Sequence, residues 1–313
     1  MAYTWLKRAG CTWKGGHIMK EKAGKIDLHL HSFYSDGQES PKEIIRHARE
    51  DGQSLISITD HNKFTFTQPQ NIDGVTIIPG IEFSTAYWGL AREDAVEDHI
   101  VGLFPYGVNP DDFADLLENI RAGKKAYVKA ILEDLATRNI HITMEEVYAR
   151  ADEKGDIGRH PVAEVLVEKG YEPDVETAMD HQVGNYSPYY IPSCRYIAYP
   201  LMEDVVKRIR ACGGIPCLAH PYGYKLTEEE IEQMICDFKQ AAGEVAAMEV
   251  YYELYLQDED RIAFLERMQE KYGLLPSSAS DRHRTDQPFA SRGDMKQFEE
   301  MVRVLNETGL SHI

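Results

Sequence analysis

No apolar run in the 313-residue chain approaches the roughly 18 positions a membrane-spanning helix needs. The opening stretch MAYTWLKRAGCTWKGGHIMK is basic but lacks the uninterrupted apolar segment of a secretory signal. No membrane partner is expected, and a cytoplasmic location is. Cysteine is scarce: Cys11, Cys194, Cys212, Cys217 and Cys236 are odd in number and show no CxxC spacing, which argues for reduced intracellular thiols. Positive charge is also short, with 34 Lys and Arg against 52 Asp and Glu and a net charge of −18. Long nucleic acids are held by neutralising many phosphates, so a broad polyanion-binding surface is not expected. A small phosphorylated ligand held by local cations stays compatible with that balance. There is no GxSxG nucleophile elbow, no phosphate-binding P-loop, no internal repeat and no low-complexity tract.

What is present is 43% hydrophobic and 27% charged residues, ordinary globular material for one large α/β domain or a domain with an insertion. Residues 1–24 read as a disordered tail. Residues 1–18 show neither periodicity nor strand character and are expected to be dispensable, the chain being one that could begin at Met19. From IDLHLHSFYSDG onward, strand-like and helix-like segments alternate. Ser40-Pro41-Lys42-Glu43 is a capping box with proline at the first helical position, and Gly52 stops that helix. SLISITDH, VTIIPGIEFST and DHIVGLF are apolar runs that fit strands buried on both faces, as in parallel sheets. Between about residues 110 and 195 the pattern turns helical, with a capping box at Thr143–Glu146 and a helix that Pro161 is placed to start. Alternation then resumes to about residue 283. The expected architecture is a βα barrel of residues 25–109 and 196–313, split by a helical insertion at 110–195 that covers its mouth.

In a strand, successive side chains point to opposite faces, so His29 and His31 share one face of the first strand while Leu28 and Leu30 share the other. Similar polar residues stand in or just after the other apolar runs: Asp36, His61 (after Asp60), Glu82, His99, His220, Asp281 and His283. In βα barrels the C-terminal ends of the strands form the active-site face, so these residues converge in one mouth. A mixed imidazole and carboxylate set suits Mn, Fe or Zn. It also exceeds the needs of one tetrahedral ion, so the site is expected to hold two or three divalent ions. His17, His47, His141, His181 and His312 lie in the tail, on helices or in loops and are read as ordinary polar residues. The acidic stretch EEEIE at 228–232 is read as a solvated first helical turn.

The motifs DLHLHSFYSDG, ITDHN, PGIEFS, HIVGL, LAHP and SDRH, in this order, resemble those of the PHP (polymerase and histidinol phosphatase) superfamily. The likeness covers residues 25–290 and is strongest to small nucleotide-type phosphoesterases with a helical insertion. It implies a distorted barrel of seven strands and a trinuclear metal site. His29, His31, Glu82 and Asp281 would hold one ion; Asp36, His61 and His283 a second; and Glu82, bridging, with His99 and His220 the third. It further implies that a hydroxide shared between two ions attacks phosphorus, so no protein nucleophile is expected, and that the third ion and nearby arginines neutralise developing charge.

In similar phosphoesterases the insertion carries an Arg-Pro-His segment. Here GRHPVAEVL has histidine and proline exchanged, so Arg159 matches while His160 stands one position early. Arg159 is the expected phosphate clamp, because guanidinium forks match phosphate oxygens. His160 is a further substrate-binding position, as is Arg195, in YYIPSCR. The implied activity is hydrolysis of a phosphate ester of a small sugar or nucleotide, such as a nucleoside 3′,5′-bisphosphate. The alternatives are a cyclic ribose-phosphate phosphodiesterase or short-oligonucleotide exonuclease and, in another class, a non-catalytic metal-binding module.

Overall fold

The computed structural model describes residues 24–154 and 157–308. Residues 1–23, and with them most of the expected tail, His17 and Cys11, lie outside the described residues, as does His312. The strands are β1 (Lys25–Leu30), β2 (Gln53–Ile58), β3 (Gln70–Ile72), β4 (Val75–Tyr87), β5 (Val96–Leu103), β6 (Ile215–Leu218), β7 (Ala247–Tyr252) and β8 (Leu275–Ala279). Seven follow the order β1-β2-β4-β5-β6-β7-β8, and β3 adds antiparallel to β4. The seven curl into a nearly closed barrel. The segment after β8 meets β1, where Asp281 N donates to His29 O at 3.0 Å and His31 N to Arg282 O at 3.1 Å. Buried Asp27 tightens the seam by accepting from Ser280 N at 3.1 Å and Ala290 N at 2.9 Å.

One strand of the distorted barrel departs from parallel pairing. Pairs β1–β2, β2–β4, β6–β7 and β7–β8 are parallel, but β5 runs antiparallel to both β4 and β6. The link between β4 and β5 is only residues 88–95, shorter than the dozen or more that a parallel crossover requires. An apolar run records burial on two faces and says nothing about direction.

Helix α1 (Pro41–Asp51) has the expected capping box from Ser40 and Glu43 and ends at Gly52, whose φ of 86° is left-handed. Among the described residues of 110–195 lie four α-helices: α2 (Ala114–Thr137), α3 (Met144–Lys154), α4 (Arg159–Glu168) and the short α5 (Val175–Ala178). Thr143 and Glu146 form the expected reciprocal cap of α3. Helix α4 begins at Arg159 and not at Pro161. The proline is tolerated there because first-turn N–H groups have no helical acceptor. These helices share one core with the barrel: Tyr127, Val128, Val147, Val162 and Leu166 pack in the same cluster as Phe83, Ile100 and Val250.

Helices α6 (Met202–Ala211), α7 (Glu228–Ala242), α8 (Glu259–Tyr272) and α9 (Met295–Thr308) complete the chain. Helix α9, unforeseen in the sequence, buries Phe298, Met301 and Leu305 in one cluster with Ile26 and Leu28 of β1. The alternation of β1 thereby turns Asp27 and His29 to its other face. Among the described residues no helix is long and apolar enough to cross a membrane.

Candidate metal centre

Glu82, fully buried in the middle of β4, is the hub of the barrel mouth. Its Oε1 lies 2.8 Å from His99 Nδ1 and 3.0 Å from His220 Nε2. Its Oε2 lies 2.9 Å from His61 Nδ1 and 3.3 Å from Nε2 of both His29 and His31. Asp281 adds a second carboxylate, with Oδ1 3.0 Å from His31 Nε2, 3.4 Å from His29 Nε2 and 3.6 Å from His283 Nδ1. Asp36 adds a third, its Oδ1 3.4 Å from His31 Nδ1 and 3.3 Å from His283 Nε2, its Oδ2 3.5 Å from His61 Nε2. All nine residues expected as ligands therefore meet in one cluster, while His47 and His181 pair elsewhere, with Glu39 and Glu172.

The strands deliver these groups in unlike ways. His31, His61, His220 and Asp281 follow strand ends, as expected at the C-terminal mouth of a barrel. His99 does not: it stands in the N-terminal half of β5, and reaches the same mouth only because that strand runs antiparallel. His220 and Asp281 take positive φ, 24° and 52°, as does Asn62 (54°) beside His61. Non-glycine residues persist in that region only where surrounding contacts hold them.

Two acids that the sequence reading did not assign support the cluster from outside. Asp60, next to His61, accepts from Ser32 N and Ser32 Oγ at 2.7 Å each, from Ser35 Oγ at 2.8 Å and from Thr65 Oγ1, pinning the loop between His31 and Asp36. Glu97 of β5 accepts from Tyr199 OH at 2.9 Å and from Ser193 Oγ, and stands 3.9 Å from His99 Nε2. Each acid lies within two residues of an expected histidine ligand, which was the available signal.

The donor set fits bound cations. Asp36 Oδ1, Glu82 Oε2, His61 Nδ1 and His99 Nδ1 are buried and have no hydrogen-bond partner, although oppositely charged groups lie around them. Buried polar atoms without partners are rare and call for a reason. His29 Nε2 and His31 Nε2 lie 2.9 Å apart, close enough that both cannot carry a proton toward the other. Burial pushes the Glu82 carboxyl up, but the charges of His61, His99 and His29 outweigh it and hold it well below the usual range. Burial pulls the His29 imidazole down, and Glu82, Glu249 and Asp281 outweigh that and raise it well above its ordinary value. Carboxylates this deep require positive charge among them, which protons or metal ions can supply. Three groupings within the cluster place donor atoms close enough to hold an ion: His31, Asp36, His61 and His283; His29, His31 and Glu82; His61, Glu82 and His99.

The expected substrate residues occupy different settings. Arg159, half-buried at the start of α4, donates through Nη1 to Asn185 Oδ1 and holds its guanidinium 5.8 Å from the Tyr190 ring centre. Burial raises Glu97, yet its bond to His99 and the Arg159 charge outweigh this and bring it down to about 2. His160 Nδ1 faces Glu164 Oε1 one turn along its own helix at 3.5 Å. Arg195 forks onto Asp94, in the link between β4 and β5, at 2.7 and 3.2 Å.

A barrel mouth lined by this donor set can hold metal ions. Comparison with known proteins points the same way: residues 27–132 match the PHP domain model. The chain is 28% identical over 263 residues to a 5′-3′ exoribonuclease of Haemophilus influenzae, covering 83% of this chain and 90% of the relative. It is 29% identical over 264 residues to a 3′,5′-nucleoside bisphosphate phosphatase of Chromobacterium violaceum, covering 82% and 87%. Among solved structures, an amidohydrolase from Chromobacterium violaceum, with sulfate bound and no metal, superposes with a TM-score of 0.69 at 26% identity over 90% of this chain and 96% of that one.

Proposed function

We propose that this chain, a metal-dependent hydrolase of phosphate esters, acts on a small phosphorylated nucleotide or sugar, a nucleoside 3′,5′-bisphosphate being the leading substrate. The observation that carries the reading is Glu82, one buried carboxylate with five imidazoles within 3.3 Å of its oxygens. In this reading two or three divalent Mn, Fe or Zn ions sit among His29, His31, Asp36, His61, Glu82, His99, His220, Asp281 and His283. When bound, such ions activate water at neutral pH and neutralise charge on phosphoryl oxygens. The protein supplies the rest. Glu82 spans neighbouring sites with its two oxygens, and Asp281 and Asp36 balance the charge. Arg159 presents a planar fork to a substrate phosphate, while His160 and Arg195 flank it. The helices of residues 110–195 cover the mouth and limit entry to small substrates. The net charge of −18 favours such substrates over long nucleic acids, and the scarcity of cysteine fits action in the cytoplasm.

A second reading, release of nucleotides from the 5′ end of short RNA, is favoured by the relative named a 5′-3′ exoribonuclease. One screen separates the two. Mn-loaded protein is offered phosphomonoesters, 3′,5′-bisphosphates, cyclic phosphates and a short RNA, and released phosphate and nucleotides are measured. Preferred turnover of a 3′,5′-bisphosphate supports the first reading, and stepwise shortening of the RNA the second. Turnover of none would overturn both.

A further inference from the structure

Strand β7 is the one strand of the barrel path that offers none of the nine expected ligands, yet it touches three of them. Glu249, 1% exposed, sets Oε1 2.7 Å from His29 Nδ1, while its Oε2 accepts from the His220 backbone N at 2.7 Å. Three residues on, Tyr252 OH donates to Asp281 Oδ2 at 2.7 Å. In a regular strand positions i and i+3 face opposite sides. Here the register with β8 shifts between Glu249 and Tyr251, a bulge that turns both polar groups to the barrel interior. Tyr251 is left pointing out toward Glu266.

We propose that β7 is the positioning strand of the metal centre, with Glu249 and Tyr252 as residues that hold His29, His220 and Asp281 in ligating geometry. A carboxylate at His29 Nδ1 keeps the proton on that nitrogen, which leaves the Nε2 lone pair directed at the centre. The same carboxylate holds the amide of His220, whose φ of 24° needs such a tether. The Tyr252 hydroxyl occupies Asp281 Oδ2 and leaves Oδ1, the oxygen 3.0 Å from His31 Nε2, to face the cluster. The inference rests on the proposed metal centre and adds to it the groups that orient its ligands.

The test strips wild type, Glu249→Gln and Tyr252→Phe with chelator and titrates each with Co²⁺, reading bound equivalents, affinity and the visible absorption of the metal. Glutamine keeps an oxygen for His29 but cannot also accept from His220 N. Affinity should fall about 10–100-fold, the loss typical of outer ligand supports, and the cobalt bands should shift. Tyr252→Phe, which removes one hydroxyl, should shift the bands with a smaller loss of affinity. Both variants matching a metal-loading wild type in affinity and spectrum would overturn the role of β7 and leave the centre standing. A wild type that takes up no metal would overturn the centre, and this inference with it. If Glu249→Gln does not fold, Tyr252→Phe alone decides, and wild-type behaviour there counts against the proposal.

Discussion

Arg282 and Glu39, 243 positions apart, form a buried ion pair that fastens the loop carrying Asp36 to the segment carrying Asp281 and His283. Both side chains are less than a tenth exposed. Arg282 further donates to Gln287 O and Thr285 O at 2.9 Å each and lies 4.7 Å from the Phe289 ring centre. Nearby, Gln38 N donates to His283 O at 2.7 Å. Two loops that deliver expected metal ligands are thus joined to each other.

Breaking this pair from one side leaves a buried charge without its partner, a defect of about 3–5 kcal/mol. Arg282→Met should therefore lower the melting temperature by roughly 5–8 °C, given the unfolding entropy of a chain this size. Adding Glu39→Met should restore part of the loss, because an apolar pair replaces a buried ionic one at little cost. Thermal melts of the single and double variants check this. An unchanged melting temperature in the single variant would mean the pair is solvated.

Metal should stabilise the fold as well as complete the centre. Folding gathers three carboxylates, those of Glu82, Asp36 and Asp281, in one cluster, and ions that bind there and not to the unfolded chain shift the equilibrium by about 2.7 kcal/mol at one hundred times their dissociation constant. Protein purified without chelator should carry two to three transition-metal ions per chain by elemental analysis, and chelation should lower its melting temperature. Glu82→Gln should reduce both the metal content and the chelation effect. One ion or none after incubation with Mn²⁺ would count against a multinuclear centre.

The positions that cluster at the barrel mouth were legible because they break a rule. Strands buried on both faces are apolar, so His29, Glu82 and His99 inside or beside such runs stand out, and the neighbouring Asp281 and His220 follow from the same logic. The direction of β5 was not legible, since burial on two faces has no arrow. Glu249 was missed although it too is an acid inside an apolar strand, AAMEVYY. Only the bulge, which a side-chain pattern does not record, turns both it and Tyr252 to the inside. Arg282 stands between two expected ligands and was overshadowed by them, and its partner Glu39 is too distant in sequence for spacing to reveal. Helix α9 is amphipathic, but the face of β1 that it covers became apparent only once Ile26 and Leu28 were seen opposite it.

The exchanged segment Arg159-His160-Pro161 decides whether the insertion takes part in substrate recognition. Arg159 is half-buried beside a tyrosine ring and within the field of Glu97, which itself neighbours His99. If Arg159 clamps a substrate phosphate, it exchanges Asn185 for it. Arg159→Ala should cost kcat/KM on the order of 2–4 kcal/mol of transition-state stabilisation, since a desolvated phosphate would lose its charged partner. Metal content should stay at the wild-type level, because arginine is not a ligand. His160→Ala and Arg195→Ala should cost less, as His160 already faces Glu164 and Arg195 already pairs with Asp94. Steady-state kinetics on the best substrate from the screen, alongside elemental analysis, check all three. An Arg159→Ala enzyme with unchanged kinetics would remove the insertion from substrate binding and leave recognition to the metal centre alone.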